Sequence, residues 1–181
     1  MDLKTAQDRA LDAAEDLFYR RGVHAVGMDD IRDTSGVSLK RLYQLFPNKE
    51  RLVTAYLRRR DVRWRGGLSE YVGRVADPRE RLLAVFDWLL TWFTDPDYRG
   101  CAWINCFGEL GATSSAVAEE VRTHEEGFRR LLRELSAAAG HDDDLAEQLL
   151  ILAEGTIVTA AITGDAGTAH RARAAAARLV G

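Results

Sequence analysis

Apolar side chains recur at intervals of three and four along almost the whole chain, and no run alternates with the period of two that marks a strand. Ala6, Ala10, Ala13, Ala14, Leu17 and Phe18 share one side, which predicts an amphipathic helix over residues 3–21, stopped by Gly22. In MDDIRDT, Asp29 and Asp30 occupy a first turn, where carboxylates favour the positive end of a helix dipole, while Met28 and Ile31 can face inward. Ser35 and Gly36 end this second helix, because glycine is the residue that best takes a left-handed conformation beyond a helix terminus.

Ser38 can cap a third helix, in which Leu39, Leu42, Leu45 and Phe46 fall within about 120° of arc while Lys40, Arg41 and Gln44 lie on the opposite side. Pro47 disfavours helix at Phe46, and Asn48 can cap a fourth helix that runs through NKERLVTAYLRRRDVRWR toward Gly66-Gly67. Two short helices joined by a tight glycine turn make a helix-turn-helix, whose second member lies in the DNA major groove. Its apolar side docks the helix and its cationic side faces outward.

Farther on, Pro78 opens an apolar helix closed by TDPDYRG, and INCFGELG is a shorter helical piece. A long amphipathic helix begins near Ser115, a plausible cap, with its acids early and its arginines late. Two more helices, 144–164 and 168–180, complete an all-α chain of about nine helices. The expected domain boundary lies in the fourth helix, between residues 1–63, which carry the helix-turn-helix, and a helical remainder over 64–181.

Composition narrows the function. With 181 residues, 46% of them apolar, the chain can build a core for one ordinary domain or for a small domain joined to a medium one. No stretch approaches roughly 18 to 20 uninterrupted apolar residues, and MDLKTAQD has neither the basic start nor the apolar core of a secretory signal, so a soluble, cytoplasmic protein without a membrane partner is expected. The four histidines, at 24, 124, 141 and 170, are scattered, and no HExxH, GxSxG, GxGxxG or phosphate-loop pattern occurs; no catalytic residue, metal or cofactor is expected.

Charge changes the picture further. The net charge is -3, yet residues 1–65 carry 14 Lys and Arg against 10 Asp and Glu, a net +4, and the remainder carries a net -7. Such segregation suggests that the amino-terminal end meets a polyanion. Arg58, Arg59, Arg60, Arg63 and Arg65 lie well past the third helix and read as solvated helix surface or as contacts to the acidic remainder.

The stretch ALDAAEDLFYRRGVHAVGMDDIRDTSGVSLKRLYQLFPNKERLV resembles the tetracycline-repressor (TetR) family of bacterial one-component regulators. An A..LF...G helix, GVS, an LYxxF third helix and an N-K-E opening of the fourth occur in the family's order and spacing. DYRGCAWINCFGEL resembles the RGCxFxNxxxEL segment of one regulator subgroup. The resemblance implies a three-helix DNA-binding domain over residues 1–63, a helical ligand-binding and dimerisation domain over 64–181, and a homodimer, through the last two helices of each protomer, that binds a palindromic double-stranded DNA operator and is released from it by a small-molecule effector. Carried over by position, Ser38, Arg41, Tyr43 and Gln44 match DNA-contacting positions of the third helix, and Lys49 matches a phosphate-contacting lysine. Lys40 stands where a glycine is frequent and adds a cation; Arg41 and Lys40 can donate to guanine or phosphate, and Gln44 suits adenine. Gly27 replaces a hydroxyl residue that caps the second helix, and Arg32 replaces an alanine.

For an effector, Trp88 and Trp92 share a face at i and i+4, and Trp103, Asn105, Cys106, Phe107 and Glu109 follow closely; together they are candidate pocket residues, with plain core packing as the competing reading. Two other functions stay open. Cys101 and Cys106 could make a thiol-based redox sensor, a role that needs an accessible thiolate near cations. An all-helical metal enzyme needs Glu-x-x-His pairs, but Val121 occupies that place before His124.

Overall fold

A computed structural model describes residues 2–181. Among the described residues there are nine helices and no strand: α1 (Leu3–Arg21), α2 (Met28–Ser35), α3 (Leu39–Leu45), α4 (Lys49–Gly73), α5 (Pro78–Phe93), α6 (Ala102–Leu110), α7 (Ser115–Ala138), α8 (Asp143–Thr163) and α9 (Thr168–Val180). The chain divides into two compact units. The first holds the residues up to Asp61 together with Ala102–Arg122, and the second holds Val62–Cys101 with Thr123–Gly181. Two of the three chain crossings between units fall inside α4 and α7.

In the first unit, Asp2 caps α1 by accepting from the backbone N–H and the hydroxyl of Thr5, both at 2.8 Å, and these bonds hold its carboxyl below the ordinary range. The predicted alanine stripe is buried with Leu17 and Phe18, and the Phe18 ring meets Tyr56 of α4 edge-on at 5.9 Å. Gly22 ends the helix at φ 83°, its N–H bonded to the Phe18 carbonyl. Arg59 and Arg60 of α4 turn back to α1: Arg59 reaches Asp12 at 2.8 Å and Glu15 at 3.0 Å, while Arg60 reaches Glu15 at 2.9 Å and stacks over the Tyr19 ring. Arg58 pairs with Glu120 at the start of α7.

Two sequence expectations change. α4 does not stop near Gly66-Gly67 but continues to Gly73. Each interior glycine costs about 1 kcal/mol of helix propensity. Trp64, Leu68 and Val72, four apart and all buried, outweigh that, since burying each such side chain contributes roughly 1.5–3 kcal/mol. The cap of α7 is Ser114 rather than Ser115: its Oγ accepts from the Val117 N–H at 3.1 Å, and Ser115 is the first helical residue.

The second unit packs α5, α8 and α9 against one another. Asp77 caps α5 with Pro78 in its first turn, and Asp142 caps α8. Arg173 of α9 bridges Asp87 and Glu80 of α5 at 3.0 and 2.9 Å. Tyr98 donates to the Ile157 carbonyl at 2.7 Å. By length and composition α8 is apolar enough to cross a membrane; its apolar positions divide between this unit's interior, with Leu149, Ala153 and Ile157, and an exposed stripe at Ile151, Val158 and Ile162.

Candidate nucleic-acid interface

The helix-turn-helix is fixed by local capping followed by burial. The Asp30 carboxylate accepts the Gly27 N–H at 2.7 Å, so α2 begins without the hydroxyl cap that Gly27 lacks. Ile31 is fully buried beneath it. At the other end Gly36 takes φ 65°, ψ 17°, and its N–H bonds to the Arg32 carbonyl at 2.9 Å. The buried Ser35 hydroxyl accepts from the Val37 N–H at 3.1 Å, which tightens the turn and sends Val37 inward.

Ser38 caps α3, its Oγ accepting from the Arg41 N–H at 3.4 Å. Leu42 is completely buried and Phe46 nearly so, while Leu39 and Leu45 are half-buried. The opposite side carries Lys40, Tyr43 and Gln44 in solvent, with Tyr43 49% exposed, and Arg41 half-buried at its edge. Asn48 caps α4 by accepting from the Arg51 N–H at 2.9 Å, and Lys49 is therefore the first helical residue. Burial depresses the Lys49 ammonium, and the nearby Glu109 and Asp30 carboxylates partly restore it. Of the six candidate DNA-contacting residues, Lys40, Arg41, Tyr43 and Gln44 thus sit on α3, Ser38 at its cap, and Lys49 at the first position of α4. Arg32, by contrast, is held by Asp29 and Asp33.

Glu109 has a role that sequence reasoning missed. It stands at the end of α6, and its carboxylate accepts the backbone N–H groups of Val23, at 2.9 Å, and His24, at 2.6 Å, in the loop between α1 and α2. The His24 ring Nε2 lies 3.0 Å from the Glu109 carbonyl oxygen. Nearby, the Ser114 hydroxyl donates to Glu50 of α4 at 2.6 Å. Val23, His24, Lys49, Glu50, Leu110 and Ser114 border a cavity of about 300 Å³. These bonds join residues 64 to 86 apart in sequence, so no local signal could have found them.

The candidate effector residues separate between the units. Trp103 and Cys106 are buried in the first unit, where Asn105 and Phe107 are exposed. Trp88 and Trp92, half-buried, belong to the second unit, where they meet Trp64 edge-on at 4.9 and 5.9 Å. Trp64 also meets His124 at 5.0 Å and Phe128 at 5.2 Å. Trp64 and Phe128 have helical phase as a signal, but only the fold brings Trp64 to α5 and Phe128 to Trp64. Among the described residues neither cysteine is in a disulfide; both are buried, and burial pushes the Cys106 thiol up to about 12. At neutral pH such a thiol holds almost no thiolate, contrary to what a redox sensor requires.

Comparison with known proteins agrees with this architecture. A family model for bacterial regulatory proteins, tetR family, matches residues 10–56, and one for a tetracyclin repressor-like C-terminal domain matches residues 78–176. The chain is 41% identical over 78 residues to an uncharacterized HTH-type transcriptional regulator of Mycobacterium tuberculosis, covering 43% of this chain and 39% of the relative. It is 35% identical over 114 residues to the HTH-type transcriptional activator FasR of Mycolicibacterium smegmatis, covering 63% of this chain and 51% of the relative. These alignments therefore span about half or less of the relatives' own lengths. The crystal structure of a TetR-family transcriptional regulator from Streptomyces coelicolor superposes with a TM-score of 0.90 at 26% identity, covering 98% of this chain and 95% of that one.

Proposed function

The chain belongs to the tetR family of bacterial regulatory proteins, and on that premise we propose that it is a cytoplasmic homodimer that represses transcription from a palindromic operator until a small effector releases it. A DNA-binding helix-turn-helix regulator is what the family supplies, and the enzyme alternative falls with it. The observation that carries the finer reading is the division of α3 into a buried Leu42 side and an exposed Lys40, Tyr43 and Gln44 side. In this reading Arg41, Lys40 and Gln44 address base edges or phosphates, and Ser38, Tyr43 and Lys49 hold the backbone.

Dimerisation is supported by the exposed Ile151, Val158 and Ile162 on one side of α8 and by Leu179 on α9. Gly155 and Thr159 fall on that side of α8, so a second helix can approach closely. A two-fold dimer suits paired half-sites. For the effector, the Trp88 and Trp92 wall, extended by Trp64, His124 and Phe128, favours a partly apolar or aromatic molecule. Such a ligand acts by binding better to the conformation whose reading helices are wrongly spaced for successive major grooves.

The experiment is operator binding by Arg41→Ala and Tyr43→Ala. A lost base contact is worth about 1–3 kcal/mol, so affinity for the operator should fall roughly 5- to 150-fold for Arg41→Ala. Unchanged affinity in both variants removes the reading face from α3. The 35% identity to FasR, named an activator, favours a second reading in which the bound dimer activates transcription. A reporter driven from the operator separates the two, since deleting the regulator raises output under repression and lowers it under activation.

A further inference from the structure

We propose that Arg9 of α1 is a further DNA-backbone contact, seating a phosphate beside the α2–α3 turn. This inference rests on the DNA-binding reading above and extends the footprint to a helix that reading leaves out. Arg9 is exposed and is flanked along α1 by buried Ala6, Ala10 and Ala13, small residues that let α1 pack closely on the helix-turn-helix. Its guanidinium rests on the turn itself: a Cβ built on Gly36 would stand 3.2 Å from Nη2 and 3.8 Å from Cζ.

Charge pairing sets Arg9 apart from its neighbours. Arg20 is paired with Asp16, Arg32 with Asp29 and Asp33, and Arg59 and Arg60 with Glu15. Asp12, one turn along from Arg9, is drawn away to Arg59, and Asp8 projects about 100° around the helix. Among the described residues no hydrogen bond or ion pair engages the Arg9 side chain, so its fork of donors is available. In a helix-turn-helix the second helix enters the groove while the first crosses the sugar-phosphate backbone, which brings the turn at Gly36 to the rim of the groove. A guanidinium fixed there meets phosphate oxygens in the paired geometry that arginine favours.

The test uses the full chain and a duplex enriched from a random library by the wild-type protein. Binding of wild type, Arg9→Gln and Arg9→Lys is measured between 50 and 200 mM salt. Each neutralised phosphate contributes about 0.9 to the slope of log affinity against log salt. Arg9→Gln should therefore reduce that slope by about 0.9 per bound protomer, so that the affinity ratio between the two salt concentrations shrinks roughly 3.5-fold per protomer. Matched and mismatched duplexes should weaken equally, and Arg9→Lys should keep most of the slope. A role confined to bracing the turn would instead lower the melting temperature and leave the slope alone. An unaltered slope for Arg9→Gln, with tight wild-type binding, overturns the assignment of Arg9 only. A library that yields no enriched duplex overturns the DNA-binding reading, and Arg9 falls with it.

Discussion

Gly36 shows how much one position can decide. Its φ of 65° costs about 1–2 kcal/mol for any residue with a Cβ, and Arg9 would have to give way by a few tenths of an ångström. Gly36→Ala is expected to lose roughly that much stability in urea denaturation, with a larger loss of operator affinity, because the change tilts α3 against α2. The half-buried Glu154 carries a second prediction at this scale. Burial, with the Glu125 charge adding to it, raises the Glu154 carboxyl from 4.5 to about 7. Between those values the folded chain holds a proton that the unfolded chain releases, so the stabilisation is complete below about pH 4.5 and is lost as pH rises through about 7. Glu154→Gln removes the titration. The melting temperature of wild type should fall relative to that of the variant between pH 5 and 8, and parallel curves would show that Glu154 does not titrate there.

At the scale of elements, most helices were legible because each carries its own stop signals. Gly22 and Gly36 at positive φ, Ser38 and Asn48 as caps and Pro78 in a first turn are local features, and the structure keeps all of them. The exceptions share one cause, a partner remote in sequence. α4 passes through Gly66-Gly67 because Trp64, Leu68 and Val72 are buried against other segments. Helical phase places Glu109 beside the candidate pocket residues but gives no sign that its carboxylate fastens α6 to the loop after α1. Glu109→Ala should leave the part-buried Val23 amide without an acceptor, release the exposed His24 amide to water, and cost about 1–3 kcal/mol, read by denaturant unfolding. Hydrogen exchange should accelerate specifically at Val23 and His24; protection unchanged at both would remove the role.

At the scale of the whole molecule, the charge asymmetry along the sequence is not the asymmetry between the compact units. The first unit contains 13 basic and 13 acidic side chains, because Ala102–Arg122 brings Glu109, Glu119 and Glu120 to the basic amino-terminal segment. Most arginines there serve internal pairs, so affinity for a polyanion has to come from a few uncompensated cations at one edge. Assembly is predicted from exposed apolar surface instead: Ile151 and Ile162 are 72% and 79% exposed on one side of α8. Ile151→Glu with Ile162→Glu should convert a dimer to a monomer in sedimentation equilibrium, weakening operator binding while the helical circular-dichroism signal persists. A double variant that stays dimeric would place the two-fold contact elsewhere.

The bonds from Glu109 and Ser114 also bear on how operator preference can be exchanged between relatives. A chimaera joined after residue 61 would import foreign counterparts of Val23, His24, Glu50 and Arg58 yet retain the native Glu109, Ser114 and Glu120 that they must meet. The transferable cassette is discontinuous: the first 61 residues travel intact only with 102–122. Recombination during evolution, like grafting at the bench, therefore needs a double crossover or compensating changes in the second piece.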